Sequence, residues 1–295
     1  MKRQIRILSI TFTLLILCGS GDLFAQREHE FSVFGGGGLS TFSYKAAAGE
    51  QKSGFGGNFG FDYRFFFSPK WGVGTGAEFA LFNAGINIDD FEIRYMATDT
   101  YLAADGETVF EFRSAVSDFE EKHHATLLKI PMMVQFQTDG GRRYYIAAGG
   151  KVGIPLTGKY DTSASLRNSG YYEHENSLYD TQEFMGFGSF PGRKSDGDVD
   201  FKTVFFVSVE GGVKWKMGDK LSVYTGAYLD YGLNNILDGQ TAAALPNLVE
   251  YNSANPRAFA LNGAIKSKAP GAAQALIGEM KPTAVGIKVK VAFGK

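Results

Sequence analysis

Acidic and basic side chains alternate with large apolar ones along several segments of this 295-residue chain, and ion pairing is the chemistry open to them. In Val285–Phe293, Lys288 and Lys290 fall between valine and isoleucine residues. A β-strand repeats every two residues, so it places these lysines on one face and the apolar side chains on the other. The same parity in other segments predicts one polar network inside a barrel. Its ten members are Asp62, Arg64, Glu78, Lys129, Lys151, Glu210, Lys214, Asp230, Lys288 and Lys290.

Enclosed acids and bases can either neutralise one another or line a path for ions. An eight-stranded barrel is just wide enough to be filled by its own side chains. An unpaired charge inside it is costly, because little water is present to solvate it. We therefore favour a ladder of ion pairs and hydrogen bonds that fills the interior, and we keep a gated ion path as the alternative.

Two further groups have residue types suited to catalysis or metal binding. His124 shares the parity of Thr126 and Leu128, which predicts it on the lipid-facing side, where a histidine paired with a serine can modify lipids. No serine is tied to it by spacing. Asp196-Gly197-Asp198-Val199-Asp200 alternates carboxylates but lacks the spaced glycine and terminal glutamate of a calcium loop. We expect no catalytic residue, no metal site and no cofactor.

Eight alternating segments are predicted to position the polar network. Each has about the 9–11 residues that a tilted strand needs to cross a bilayer, or slightly more. They are Phe31–Tyr44, Phe55–Phe67, Trp71–Leu81, Ala125–Phe136, Tyr144–Leu156, Thr203–Lys216, Leu221–Tyr231 and Thr283–Phe293.

The connections between these strands alternate between short and long. Tight turns at 68–70, 138–143 and 217–220 carry glycine, proline or aspartate, as turn geometry requires. The longer connections are 45–54, 82–124, 157–202 and 232–282. Short periplasmic turns and long extracellular loops are typical of outer-membrane barrels. We predict an all-β, eight-stranded antiparallel up-and-down transmembrane barrel.

The N-terminus indicates export across the inner membrane. A basic start precedes the apolar segment 7–17, which is too short to span a bilayer, and Leu23-Phe24-Ala25 fits a cleavage site. We predict a secretory signal peptide over 1–25 and a single barrel domain over 26–295. The net charge of −1 gives no indication of a nucleic-acid partner.

A soluble eight-stranded barrel is the main structural alternative, since it also has alternating strands and hairpins. Aromatic residues beside the short turns weigh against it, because amphipathic rings prefer the membrane interface. These residues are Phe65, Phe67, Trp71, Phe136, Tyr144, Trp215 and Phe293. We expect the apolar face, including Phe61 and Val289, to point toward lipid.

Three passages in the predicted strands carry a family resemblance. They are Leu127-Leu128-Lys129-Ile130-Pro131-Met132-Met133-Val134, Tyr145-Ile146-Ala147-Ala148-Gly149-Gly150 and Tyr231-Gly232-Leu233-Asn234-Asn235-Ile236. They resemble the LEIPLLL-type strand, the strand after it and the YGLxNI passage of the PorT-like outer-membrane β-barrel family, which is common in Bacteroidota. The resemblance covers nearly all of the mature chain. It implies an outer-membrane barrel that assists a secretion or envelope machine, and its motifs say little about activity.

We expect a non-enzymatic outer-membrane barrel with a structural, surface-binding or envelope-accessory role. A narrow channel for small solutes is the alternative, and a lipid-modifying enzyme is less favoured. The expected partners are outer-membrane lipid, lipopolysaccharide and the outer-membrane assembly machinery. The aromatic segment Tyr171–Phe190 is predicted either to contact a protein or glycan or to fold back over the barrel mouth.

Overall fold

A computed structural model describes most of the chain. The described residues are 28–46, 49–100, 108–140, 142–237, 244–271 and 274–294. The predicted signal peptide, 1–25, lies outside them. None of the helices in these ranges is long and apolar enough to cross a membrane.

Eight antiparallel strands close into a ring. In chain order the strands are β1 (Glu28–Ala46), β2 (Glu50–Phe66), β3 (Trp71–Ile88), β4 (Phe91–Asp99), β5 (Thr108–Gln137), β6 (Arg142–Tyr172), β7 (Ser177–Tyr179), β8 (Gly188–Asp198), β9 (Val204–Lys216), β10 (Leu221–Gly232), β11 (Val249–Glu250), β12 (Ala260–Leu261) and β13 (Ile277–Gly294). The ring runs β1, β2, β3, β5, β6, β9, β10 and β13, and β13 pairs with β1 to close it. This confirms the predicted eight-stranded antiparallel barrel.

Alternation along each strand separates an apolar exterior from a charged interior. Phe61 is 59% exposed and Val289 is 48% exposed, whereas Asp62 and Lys288 are buried. Large apolar side chains cover the outside of the ring on neighbouring strands, as with Phe31 and Val33 on β1, Phe59 and Phe61 on β2, and Ile287 and Val289 on β13. A band of this kind is stable only against lipid, because in water it would be a large exposed apolar patch.

The strands β5 and β6 extend far beyond the segments predicted from the sequence, and this part of the prediction was wrong. They form one hairpin that stays paired from Gln137↔Tyr145 up to Glu111↔Tyr171. On one side of this hairpin, β5 pairs with β3 within the membrane and with β4 beyond it. On the other side, β6 pairs with β9 within the membrane and with β8 beyond it. Much of the predicted connections 82–124 and 157–202 is therefore an extracellular sheet, β4-β5-β6-β8.

Two bulges explain why the strands continue although the alternation in the sequence breaks. In β6 the register shifts by one residue between the pairs Leu127↔Pro155 and Thr126↔Thr157. The buried residues of β6 have odd numbers before this shift and even numbers after it. In β5 a second shift surrounds Asp118, whose φ is +52°. Each bulge inserts one residue and reverses the faces beyond it.

Residues 244–271, which we call the cap, lie against the inner face of the extracellular sheet. The Tyr251 ring packs on Phe110 and Phe112, with ring centroids 5.1 and 5.6 Å apart, and Phe259 packs on Phe190 at 4.8 Å. The Tyr251 backbone N–H donates to the Tyr95 hydroxyl at 2.7 Å. The cap thus places an apolar core above the mouth of the barrel.

We predict that Val289→Arg destabilises the folded barrel by about 2–4 kcal/mol, because Val289 lies midway along the apolar face of β13 and the cation would face the bilayer centre. The matched control is Phe293→Arg, which lies at the end of the same face and should cost about 0–1 kcal/mol. Urea unfolding in lipid vesicles measures both. Equal costs for the two variants would contradict a membrane-facing exterior.

Candidate functional site

The barrel interior brings together all ten side chains that the sequence analysis placed in a polar network. Each is buried. Seven strands contribute them, because each strand turns alternate residues inward and the ring has a small radius. The charges form two linked clusters and one pair, which are stacked along the axis.

The cluster on the extracellular side is built around two carboxylates, Asp230 and Glu78. Lys129 Nζ lies 2.7 Å from Asp230 Oδ2 and 3.4 Å from Glu78 Oε1. Lys151 Nζ lies 3.0 Å from an oxygen of each carboxylate. Ser208 also donates a hydrogen bond to Asp230. The two lysines therefore bridge the two acids, so neither carboxylate is left without a counter-charge.

The next cluster joins Asp62, Arg64, Glu210 and Lys290. Lys290 Nζ lies 2.7 Å from Glu210 Oε1 and 3.0 Å from Asp62 Oδ2. Arg64 Nη2 lies 3.3 Å from Asp62 and 3.9 Å from Glu210. Lys288 connects the two clusters, at 3.2 Å from Glu78 and 3.6 Å from Glu210. The two clusters and Lys288 therefore form one continuous ion-pair network.

The pair nearest the periplasmic turns contains an acid that the sequence analysis missed. Lys214 is ion-paired with Glu30, which also accepts a hydrogen bond from the Tyr224 hydroxyl. Glu30 lies one residue before the first predicted strand. Its parity matches that of Ser32, so starting the predicted strand one residue earlier would have included it.

Aromatic rings close the network toward the cap. Lys129 Nζ lies 4.7 Å from the ring centroid of Phe82 and 4.6 Å from that of Phe206. Both rings belong to the apolar core that continues up to the cap. A cation held against two ring faces gains an electrostatic contact and loses access to water. Ions entering from outside would therefore have to cross this apolar layer.

A small cavity of ≈ 20 Å³ lies among the charges. Its lining includes Arg64 and Glu78, each of which has one buried polar atom without a hydrogen-bond partner. This volume holds about one water molecule. The space is therefore suited to a water that satisfies these two groups and is too small for a solute path.

A second buried polar group links the barrel wall to the cap. Glu121 Oε1 lies 2.7 Å from His123 Nε2, and His123 Nδ1 lies 2.7 Å from the Tyr44 hydroxyl. Glu121 also accepts hydrogen bonds from the backbone N–H groups of Ala264 at 2.5 Å and Ile265 at 3.1 Å. These contacts fix the cap to β5. Sequence reasoning missed Glu121, although it shares the parity of Lys129.

The remaining candidates for chemistry lie apart from one another. His124 is half-exposed and contacts Asn83 Oδ1 at 2.7 Å and Asp161 Oδ2 at 3.2 Å. The Asp196, Asp198 and Asp200 side chains are exposed at the end of β8 and just after it. Within the described ranges, no three His, Cys, Asp or Glu residues are grouped to hold a metal ion.

The aromatic segment Tyr171–Phe190 divides between two roles. Phe187 is buried against Phe110, with ring centroids 5.7 Å apart, and so belongs to the core under the cap. Phe184 is 43% exposed on the outer surface. Part of the segment therefore folds over the barrel mouth, and part remains available to solvent.

A closed eight-stranded barrel with an apolar exterior and a charged interior defines the class of outer-membrane β-barrel proteins. The sequence matches the model of the outer membrane protein beta-barrel domain over residues 24–238, so the chain belongs to this family. Its location is the outer membrane, as the sequence predicts. No curated protein matches the chain.

Among solved structures, the chain is similar to Ail, the attachment invasion locus protein of Yersinia pestis. The sequence identity is 10% and the TM-score is 0.31, with 92% of this chain and 100% of the Ail chain covered. A second Ail structure, in complex with the heparin analogue sucrose octasulfate, gives 11% identity and a TM-score of 0.29 over the same shares of each chain.

We predict that Asp230→Asn lowers the free energy of unfolding by about 3–5 kcal/mol, because it leaves Lys129 and Lys151 with too little counter-charge in a buried site. The matched control is Asp139→Asn, which removes an exposed ion pair with Lys70 and should cost at most about 1 kcal/mol. Unfolding in vesicles measures both. A cost below 1 kcal/mol for Asp230→Asn would show that the interior is hydrated.

We predict that Glu121→Gln weakens the attachment of the cap by about 1.5–3 kcal/mol, because the charge-assisted bonds to the Ala264 and Ile265 amides are lost or weakened. Amide hydrogen exchange at these two residues should then rise by about tenfold or more. The neighbouring Glu120→Gln is the control, since Glu120 is part-exposed with ion pairs of 3.8 Å or longer. Unchanged exchange in Glu121→Gln would refute this attachment.

Proposed function

We propose that this outer-membrane protein is a non-catalytic anchor whose sealed barrel holds an extracellular body at the cell surface. The observation that carries the proposal is the filled interior. The ion-pair network, the aromatic layer at Phe82 and Phe206 and the cap follow one another along the axis. A barrel that served as a pore would instead need a hydrated passage.

The extracellular sheet supports a surface-binding role. It is built by strands that continue out of the barrel, so it is rigidly joined to the membrane part. The cap completes a core beneath the sheet and leaves the outer face to solvent. We propose that this outer face contacts a protein or glycan partner.

Lipid contacts are a further part of the proposal. Three lysines on the wall are exposed at register positions just beyond the apolar band. They are Lys52 on β2, Lys122 on β5 and Lys159 on β6. Cations at this level would face the phosphates of lipopolysaccharide. The assembly machinery of the outer membrane is the expected folding partner. The PorT-like resemblance supports an accessory role in secretion or in the envelope.

The absence of catalysis is also a proposal, and the histidine positions support it. His123 is completely buried between Glu121 and Tyr44, so no substrate reaches it. His124 is held by Asn83 and Asp161 on the outer wall. Neither has the free, substrate-facing geometry that a general base needs.

We predict that the purified, folded protein gives no steady current in planar bilayers, because the ≈ 20 Å³ space among the charges does not form a passage. The matched control is a porin reconstituted from the same detergent, and a gel-mobility shift on heating verifies folding. A steady current that increases with salt concentration would overturn the anchor proposal and support a narrow channel.

A further inference from the structure

An outer pocket of ≈ 280 Å³ lies at the extracellular end of the molecule, beside the exposed part of the aromatic segment. It is formed where the ends of β4 and β6 and the start of β5 meet the short β7 and the turn at Glu183–Met185. Nothing in the sealed barrel requires such a pocket. Its volume is just below the range that is typical for drug-sized ligands, so it suits a small ligand or a single chemical group.

Aromatic rings set at right angles form its wall. The Tyr172 and Tyr179 rings lie 5.3 Å apart between centroids, with an angle of 89° between their planes, and His174 adjoins Tyr172 at 6.1 Å. Tyr172 is stacked on Phe110 at 4.9 Å with a 10° angle, which ties this wall to the core. The rings are therefore fixed in place before any ligand arrives.

Carboxylates accompany both tyrosines. The Tyr172 hydroxyl donates to Asp99 Oδ2 at 3.2 Å, and the Tyr179 hydroxyl donates to Glu175 Oε2 at 2.8 Å. Asp99 is buried, and it and Glu175 both line the pocket. Burial, followed by the charge of Asp99, raises the pKa of Tyr172, so its hydroxyl stays protonated as a donor.

Acidic residues outnumber basic ones in the lining of the pocket. Two of its ten residues are acidic, none is lysine or arginine, and the one histidine, His174, has its Nε2 3.3 Å from Glu175 Oε1. Ring faces attract cations, and the attraction increases when water is excluded. Carboxylates next to the rings add to the negative potential. A neutral ligand with hydroxyl groups would gain the contact with the rings and hydrogen bonds to a carboxylate, but not the attraction between opposite charges.

We infer that this pocket binds a small organic cation through its ammonium group. The cation sits against the Tyr172–Tyr179 corner, with the exposed Glu175 as its counter-charge. Phe184, which is 43% exposed and also lines the pocket, covers the apolar part of the ligand. The surface-binding role thereby gains a chemical specificity, although the pocket does not depend on whether the barrel conducts.

The direct test titrates the full, folded protein in detergent with choline and, separately, with 3,3-dimethylbutan-1-ol, its neutral isostere. Isothermal titration calorimetry measures both affinities. We expect choline to bind at least tenfold more tightly, and more weakly as salt increases. Equal affinities would indicate a neutral ligand such as a glycan and would overturn the inference. The absence of choline binding at millimolar concentration would also overturn it.

Variants on β7 and in the turn just before it assign the binding to the corner. Tyr179→Ala and Glu175→Gln should each weaken choline binding by about threefold to thirtyfold. Leu178→Ala is the matched control, because Leu178 is 53% exposed on the same strand, does not line the pocket and should leave the affinity unchanged. The heating mobility shift confirms that each variant is folded. Unchanged affinity in both pocket variants would overturn the assignment.

Discussion

The lack of water in the bilayer core is the constraint on which the whole structure depends. Every backbone N–H and C=O group there must find a partner within the protein, and a sheet achieves this only by closing on itself. The pairing of β1 with β13 completes that closure. Once the sheet is closed, alternation leaves two surfaces of opposite character, so the apolar one faces lipid and the charged one must be neutralised inside.

Neutralising that inner surface explains the sealed lumen. Five acids and six bases occupy the interior when Glu30 is counted with the ten predicted residues, so nearly every charge has an opposite neighbour. Such pairs need not add stability relative to an apolar core, but removing one partner is costly. The network therefore fixes the packing of the wall, and Lys129 carries it into the aromatic layer below the cap.

The barrel and the residues that point into it could be predicted because inward and outward residues alternate without interruption in each membrane-spanning segment. The extracellular sheet could not be predicted in this way, because bulges at Pro155 and Asp118 reverse which residues face inward. In the sequence, a strand that continues through a bulge therefore resembles a strand that ends there. Pro131 causes no bulge in β5. Its ladder to β3 lacks two pairs between Thr75↔Met132 and Glu78↔Lys129, but the register does not shift. Contacts to the cap, such as Glu121 with Ala264, join residues too distant in sequence for any local pattern to show.

The central claim, that the apolar face looks out and the charged face looks in, has a direct test in spin labelling. The predicted mature chain contains no cysteine, so single-cysteine variants need no background removal. Labels at Ser32→Cys and Val33→Cys report adjacent residues of β1 that point in opposite directions. In lipid vesicles, the label at Val33 should be relaxed strongly by oxygen and weakly by a polar nickel chelate, whereas the label at Ser32 should be shielded from both. Strong oxygen access at Ser32 with a shielded Val33 would contradict the account.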